Sequence, residues 1–184
     1  MTKIKIIGIC GSASKNSGNL TILQYIAASE KSELDIEIIE DLTEFPHFRT
    51  ELTDENIPEK IIDFRNKILN ADGVIISTPE YVFSIPSGLK NMIEWCVSTT
   101  VFSDKPTGLI TASSRGKKAH EELKLIMNTI QAQFTENTTL LFSRIKGKVA
   151  KDGDIIDEKT KKELIEFIKS FKEITKKTAP HMNN

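Results

Sequence analysis

Asp72-Gly73-Val74-Ile75-Ile76-Ser77 is the stretch on which the fold turns. Asp-Gly punctuates the chain, and three β-branched apolar residues then follow without a polar alternation. A strand apolar on both faces belongs in the middle of a sheet covered on both sides, which is the parallel kind. On its N-terminal side, Ile4 to Ile9 forms a β-branched run closed by Gly11. Asn19 to about Glu30 has helical spacing at Leu20, Leu23 and Ala27. Ile36 to Ile39 is a further strand, and Asp35, Glu37 and Glu40 put it nearer an edge. Phe45 to Asn56 reads as a loop. Pro58 opens a helix striped by Ile57, Ile61, Phe64 and Ile68 as far as Asn70. On the C-terminal side, the spacing predicts a helix over Ser87–Cys96, a strand over Gly108–Thr111 and a helix over Lys117–Phe134. A strand over Thr138–Phe142 follows, and then a last helix capped by Asp157 and striped by Leu164, Ile168, Phe171 and Ile174.

Five strands alternating with five helices build βαβ units, and right-handed crossovers make the sheet parallel with helices on both faces. The expected fold is α/β, a three-layer flavodoxin-like arrangement with a five-stranded parallel sheet in the order 2-1-3-4-5. Its crevice lies at the carboxyl ends of the strands, where the order reverses between the first and third. Residues 1–176 form the expected domain and 177–184 a frayed tail.

Composition narrows the function. Twenty-five Lys and Arg against 26 Asp and Glu leave a net charge of -1, which excludes a bulk nucleic-acid binder. The two cysteines, Cys10 and Cys96, have neither a CxxC nor a metal-ligand spacing, so no metal site is expected. The longest wholly apolar runs fall far short of the ~18 residues of a membrane span. Met1-Thr2-Lys3 leads directly into the first strand without a signal-like segment, so a cytoplasmic protein is expected.

The crevice directs attention to two loops. Gly11-Ser12-Ala13-Ser14-Lys15-Asn16-Ser17-Gly18-Asn19-Leu20 is rich in hydroxyl and amide donors and runs into a helix start. A helix N-terminus carries free N–H groups and about half a positive charge, which suits an anion. Neither the Gly-Lys-Ser/Thr of a P-loop nor the three-glycine dinucleotide spacing is present, which favours a terminal monophosphate over a pyrophosphate. The same residues also suit a plain turn with an N-cap. The second loop, Thr78-Pro79-Glu80-Tyr81-Val82-Phe83-Ser84-Ile85-Pro86, carries aromatic side chains between prolines, a shelf for a flat heterocycle. Phe83 alternatively tucks under its own helix or into a subunit contact.

Together these residues carry a resemblance. Gly11-Ser12 through Ser17-Gly18-Asn19-Leu20, with Thr78-Pro79-Glu80-Tyr81, Ser84-Ile85-Pro86 and Leu89-Lys90-Asn91 ahead of Glu94-Trp95, is similar to the NADPH-dependent FMN reductase family. The two motifs lie about 60 residues apart, as in that family. The resemblance implies bound FMN, NADPH or NADH as donor, and a small acceptor such as a quinone, azo compound or free flavin. It assigns the phosphate to Gly11, Ser12, Ser14, Ser17, Gly18, Asn19 and Leu20. The isoalloxazine falls to Thr78, Pro79, Glu80, Tyr81, Val82 and Phe83, mainly through backbone groups, with Ser113 at its far edge. No catalytic side chain is implied, because the flavin does the chemistry. Many relatives have arginine where Ser14 stands and asparagine where Val82 stands. Here Lys15, the helix dipole and neutral donors would meet the phosphate charge.

A flavodoxin-type electron carrier without its own NAD(P)H oxidation is the alternative, and the near-neutral charge weighs against it. Cys10 reads better as a buried small hydrophobe than as a reactive thiol. Arg115, Lys117 and Lys118 form a basic cluster beside the crevice, suited to a 2′-phosphate or simply to a solvated helix start. Tyr81, Val82, Phe83 and Ile85 on the second loop, with Met92 and Trp95 off the Leu89/Ile93 stripe of the next helix, read as an apolar patch, which predicts a homodimer or a pair of dimers. Met92 also fits the inward face of its helix, and Phe83 and Trp95 alternatively fold back onto their own subunit.

Overall fold

The computed structural model describes residues 2–52, 55–143, 147–148 and 155–178. Five strands, β1 (Ile4–Cys10), β2 (Leu34–Ile39), β3 (Gly73–Thr78), β4 (Thr107–Ser113) and β5 (Thr139–Ser143), form one sheet. The order is β2-β1-β3-β4-β5 and every pairing is parallel. All six residues of β3 are buried, as the continuous apolar run requires. β2 lies at an edge, and its two acids, Asp35 and Glu37, take the exposed positions.

Pleating sends alternate side chains to opposite faces. Ile7, Ile9, Val74, Ile76 and Leu109 pack beneath α2 (Glu59–Asn70), α3 (Ser87–Glu94) and α4 (Lys117–Thr129). Ile6, Cys10, Ile75, Ile110 and Ala112 pack beneath α1 (Gly18–Ser29) and α5 (Glu158–Thr178). Asp157 caps α5 as expected, its Oδ2 accepting the Thr160 N–H at 2.8 Å.

Three helix ends depart from the sequence reading, the first being α3, which stops at Glu94 rather than Cys96. α4 stops at Thr129 rather than Phe134. Gln131 turns left-handed (φ 61°), the Ala132 N–H reaches back to the Met127 carbonyl at 2.9 Å, and Gln133 bridges in parallel to Pro106. Ile130 and Phe134 still pack against the core, so the apolar spacing continues where the helix does not. α5 runs through Thr178, past the expected start of a tail at 177; residues 179–184 lie outside the described residues. Among the described residues no helix is long and apolar enough to cross a membrane.

Candidate active site

The loop after β1 is built on a close backbone approach. Gly11 extends the ladder through its N–H to the Ser77 carbonyl at 2.8 Å. A Cβ at Gly11 would come within 2.6 Å of Thr78 Oγ1 and 2.9 Å of Leu89 Cδ2, so only glycine brings this loop onto the end of β3. Ser17 is the N-cap of α1, and its Oγ accepts the Asn19 N–H at 3.2 Å. Ser12 Oγ accepts the Ser14 N–H at 3.2 Å. Among the described residues no acceptor takes the backbone N–H groups of Lys15, Asn16 or Gly18. They sit at the amino end of a 12-residue helix in a loop that also carries three serine hydroxyls and Lys15, whose ammonium, after the hydrogen bonds from Thr43, is near enough to the Asp41 carboxylate to lower its pKa. That donor set, amide and hydroxyl with one cation, matches a phosphate monoester.

Asn19 is placed differently from the sequence reading. Its side chain is buried, with Nδ2 donating to the Ala112 carbonyl at 3.0 Å and Oδ1 accepting from Ser77 Oγ at 3.1 Å. Both ends of the amide are used inside the protein, tying the first turn of α1 to β3 and β4. Asn19 therefore fixes the amino end of α1 against the sheet, and both ends of its side-chain amide already have partners within the protein.

The loop after β3 is a two-residue hairpin. Tyr81 and Ser84 exchange both backbone bonds, at 2.9 and 3.1 Å. Val82 and Phe83 between them are left-handed, at φ 53° and 61°. That is the backbone of a type I′ turn, which asparagine and glycine normally fill. Val82 is 95% and Phe83 67% exposed, so the tip projects into solvent. The Tyr81 hydroxyl lies 3.3 Å from Ser12 Oγ and joins the two loops.

Glu80 and Glu122 anchor this hairpin to α4. Glu80 Oε2 accepts the N–H groups of Lys118 and Ala119 at 2.9 and 3.1 Å, and so caps a helix whose own N-cap, Gly116, has no side chain. The Glu80 side chain is thus a helix cap, and only its backbone faces the loop. Glu122 Oε2 accepts Ser84 Oγ at 2.7 Å and the Ile85 N–H at 2.9 Å. Thr78 is fully buried, its hydroxyl turned onto the Pro79 carbonyl at 3.2 Å. Ser113 is half-buried at the carboxyl end of β4.

A cleft of about 980 Å³ opens beside these loops. Gly11, Ser12, Ser14, Leu20 and Tyr81 line one side, and Leu42, Phe45, His47 and Phe48 line the other. The latter residues, from the segment after β2, escaped the sequence reading. The crevice rule covers that strand end too, since β2 neighbours β1. The segment is fixed to α3: Asn91 Oδ1 accepts the Phe48 N–H at 2.7 Å, and the Pro46 carbonyl accepts Trp95 Nε1 at 2.8 Å. A second hollow, about 1010 Å³, runs along β2 and α2 and reaches neither of the two loops.

Trp95 and Met92 are fully buried and Ile85 is 4% exposed, so none of the three belongs to a surface patch; Met92 faces inward and Trp95 packs on its own subunit, the alternatives their positions left open. The Trp95 ring meets Phe48 edge-on at 5.3 Å between centroids. The aliphatic face they extend is core because the Pro46–Phe48 segment folds over α3. The exposed apolar patch contracts to Tyr81, Val82 and Phe83. Burial raises the Cys10 thiol above its ordinary range and pushes Cys96 up to about 12, so neither is a thiolate nucleophile. Burial also lowers the pKa of His120, whose Nδ1 lies 3.0 Å from Thr111 Oγ1.

Comparison with known proteins identifies the family. Subunit CrdA of the NADH:(hydroxy)cinnamate reductase of Vibrio ruber is 31% identical over 172 residues, 90% of this chain and 84% of that protein. Subunit 2 of a NADH-dependent flavin reductase of Lactobacillus johnsonii is 31% identical over 169 residues, 85% of this chain and 89% of that one. Among solved structures, FerB, a flavoenzyme NAD(P)H:(acceptor) oxidoreductase from Paracoccus denitrificans, superposes with a TM-score of 0.73 at 24% identity, covering 95% of this chain and 98% of its own. Residues 4–147 match the NADPH-dependent FMN reductase family. The chain belongs to that family and is an FMN-dependent NAD(P)H oxidoreductase.

Proposed function

We propose that FMN is held with its phosphate at residues 11–20 and its ring against residues 78–83, and that electrons from NAD(P)H leave through it to a small diffusible acceptor such as a quinone, an azo compound or a free flavin. The observation that carries this is the junction of a donor-rich helix N-terminus with a projecting hairpin, linked by Ser12 and Tyr81 beside a cleft of about 980 Å³. When bound, the flavin supplies acceptance of hydride from a nicotinamide and transfer of electrons onward. Ser12, Ser14 and Ser17 bind the phosphate with the amides of Lys15, Asn16 and Gly18, and Lys15 adds charge. Pro79, Glu80, Tyr81 and Val82 present backbone groups to the ring edge, and Ser113 closes the far side. Leu42, Phe45 and Phe48 form the apolar part of a cleft wall that also carries Glu40, Asp41 and Thr43. The relatives that reduce flavin and (hydroxy)cinnamate support a planar organic acceptor. The two buried free thiols, Cys10 and Cys96, suit a reducing cytoplasm.

The assembly we infer is a homodimer in which Val82 and Phe83 meet the partner and cover the flavin. Two relatives are named as subunits, which favours a second reading in which a different chain covers the same tip. Steady-state oxidation of NADH and of NADPH with FMN and a panel of acceptors tests the activity. Turnover that needs FMN and responds to quinone or azo acceptors supports it; no FMN-dependent oxidation of either nucleotide contradicts it. Sedimentation decides the assembly. A mass near twice 20.7 kDa, lowered by Phe83→Glu, supports the dimer, and a monomer with or without FMN refutes it.

A further inference from the structure

The hairpin at residues 81–84 holds a conformation that its residues do not favour. Val82 is β-branched and left-handed, and Phe83 beside it is left-handed too. Such backbone persists only where the surroundings over-determine it. The tip offers no such restraint, because Val82 is 95% exposed and packs on almost nothing. The restraint lies at the base. Glu122 Oε2 takes both the Ser84 hydroxyl and the Ile85 amide, and Glu80 takes two amides at the start of α4. Both carboxylates bind elements on either side of the hairpin to the first two turns of one helix. That helix is firmly seated through fully buried Ala119, Leu123 and Met127.

We propose that Glu122, seconded by Glu80, is a positioning residue that holds the 81–84 turn in its left-handed form and thereby sets the affinity of the ring side of the flavin site. This rests on the reading of residues 78–83 as the wall of that site. Glu122 touches neither loop tip nor cleft, so it acts only through Ser84 and Ile85. Its two charge-assisted bonds oppose the relaxation of Val82 and Phe83, whose backbone would otherwise swing away and carry Tyr81 off Ser12. Strain and clamp are separable by mutation: asparagine at position 82 accepts the left-handed region at little cost and removes the need for the clamp.

The test uses the whole chain with Glu122→Ala, Glu122→Gln, Val82→Asn and the double variant Glu122→Ala/Val82→Asn. In ligand-free protein, hydrogen exchange is read at the Tyr81 and Ser84 amides, which bond to each other's carbonyls and not to Glu122. Glu122→Ala should speed both by about tenfold and weaken FMN and riboflavin alike by about tenfold, the size expected for a lost charge-assisted bond. Glu122→Gln keeps an acceptor oxygen and should stay near wild type, and the double variant should regain most of the lost affinity. A global packing defect would not be repaired by an exposed substitution at position 82. Should Glu122→Ala fail to fold, Ser84→Ala removes one of the two bonds from the hairpin side and carries the same expectation at smaller size. Unchanged amides in Glu122→Ala, or a double variant as weak as the single one, would overturn the proposal. Wild-type protein that binds neither flavin would overturn the underlying flavin reading, and the amide arm distinguishes that from failure of the clamp.

Discussion

Asn19→Ala separates two roles for one residue. If the Asn19 side chain served mainly as a phosphate donor, removing it would weaken ligand binding and leave the empty protein as stable as before. The structure requires the opposite. Truncation removes the bonds to the Ala112 carbonyl and the Ser77 hydroxyl, and Ser77 is fully buried. A neutral bond contributes about 0.5–1.5 kcal/mol, and a buried partner left unsatisfied costs about 1–3 kcal/mol, so a loss of roughly 2–4 kcal/mol is expected. For a chain of this size about 2–4 °C accompanies each kcal/mol, which puts the ligand-free melting point about 4–16 °C lower. The urea midpoint should fall with unchanged slope, since the exposed surface on unfolding is the same. Asn16→Ala, an exposed neighbour in the same loop, is the control and should shift stability by less than about 0.5 kcal/mol. A melting point for Asn19→Ala that matches the control in ligand-free protein would show that its side chain is not the joint between α1 and the sheet.

Other substitutions probe the loops separately. Gly11→Ala forces a methyl within 2.6 Å of Thr78 Oγ1 and should cost about 1–3 kcal/mol in a denaturant titration. Val82→Asn should raise stability by about 1 kcal/mol, because asparagine tolerates the left-handed turn that valine resists; an unchanged or lower urea midpoint would argue against strain there. His120 binds its proton less readily when folded than when unfolded, because burial penalises the charged ring. Stability should therefore fall as pH drops below the unfolded value of about 6.5. His120→Gln should flatten the decline in melting point between neutral and mildly acidic pH; an identical slope would assign it to other groups.

The sheet was legible because β3 is apolar on both faces and β2 is striped with acids, patterns that follow from a central strand buried on both sides and an edge strand open to water. The end of α4 was not, because its stop is a left-handed glutamine rather than glycine, and Ile130 and Phe134 keep helical spacing after the helix has ended. Donor-rich loops at the crevice were also legible, as residue types. Which donors face inward was not, since Asn19 and Glu80 are spent on the fold by partners 93 and 38 or 39 positions away. Trp95 misled for a related reason: the segment that buries it, Pro46–Phe48, looks like an ordinary loop until Asn91 and Trp95 hold it down.

The most direct single measurement is a flavin-fluorescence titration of the wild-type chain and Ser12→Ala with FMN and with riboflavin, which differ only in the phosphate. A phosphate seated on residues 11–20 predicts one FMN per chain, riboflavin binding weaker by about tenfold or more, and a gap that narrows in Ser12→Ala because FMN loses its phosphate bond as well as the Ser12–Tyr81 link while riboflavin loses only the link. Equal affinities for the two flavins in wild-type protein, or no binding of FMN at all, would contradict it.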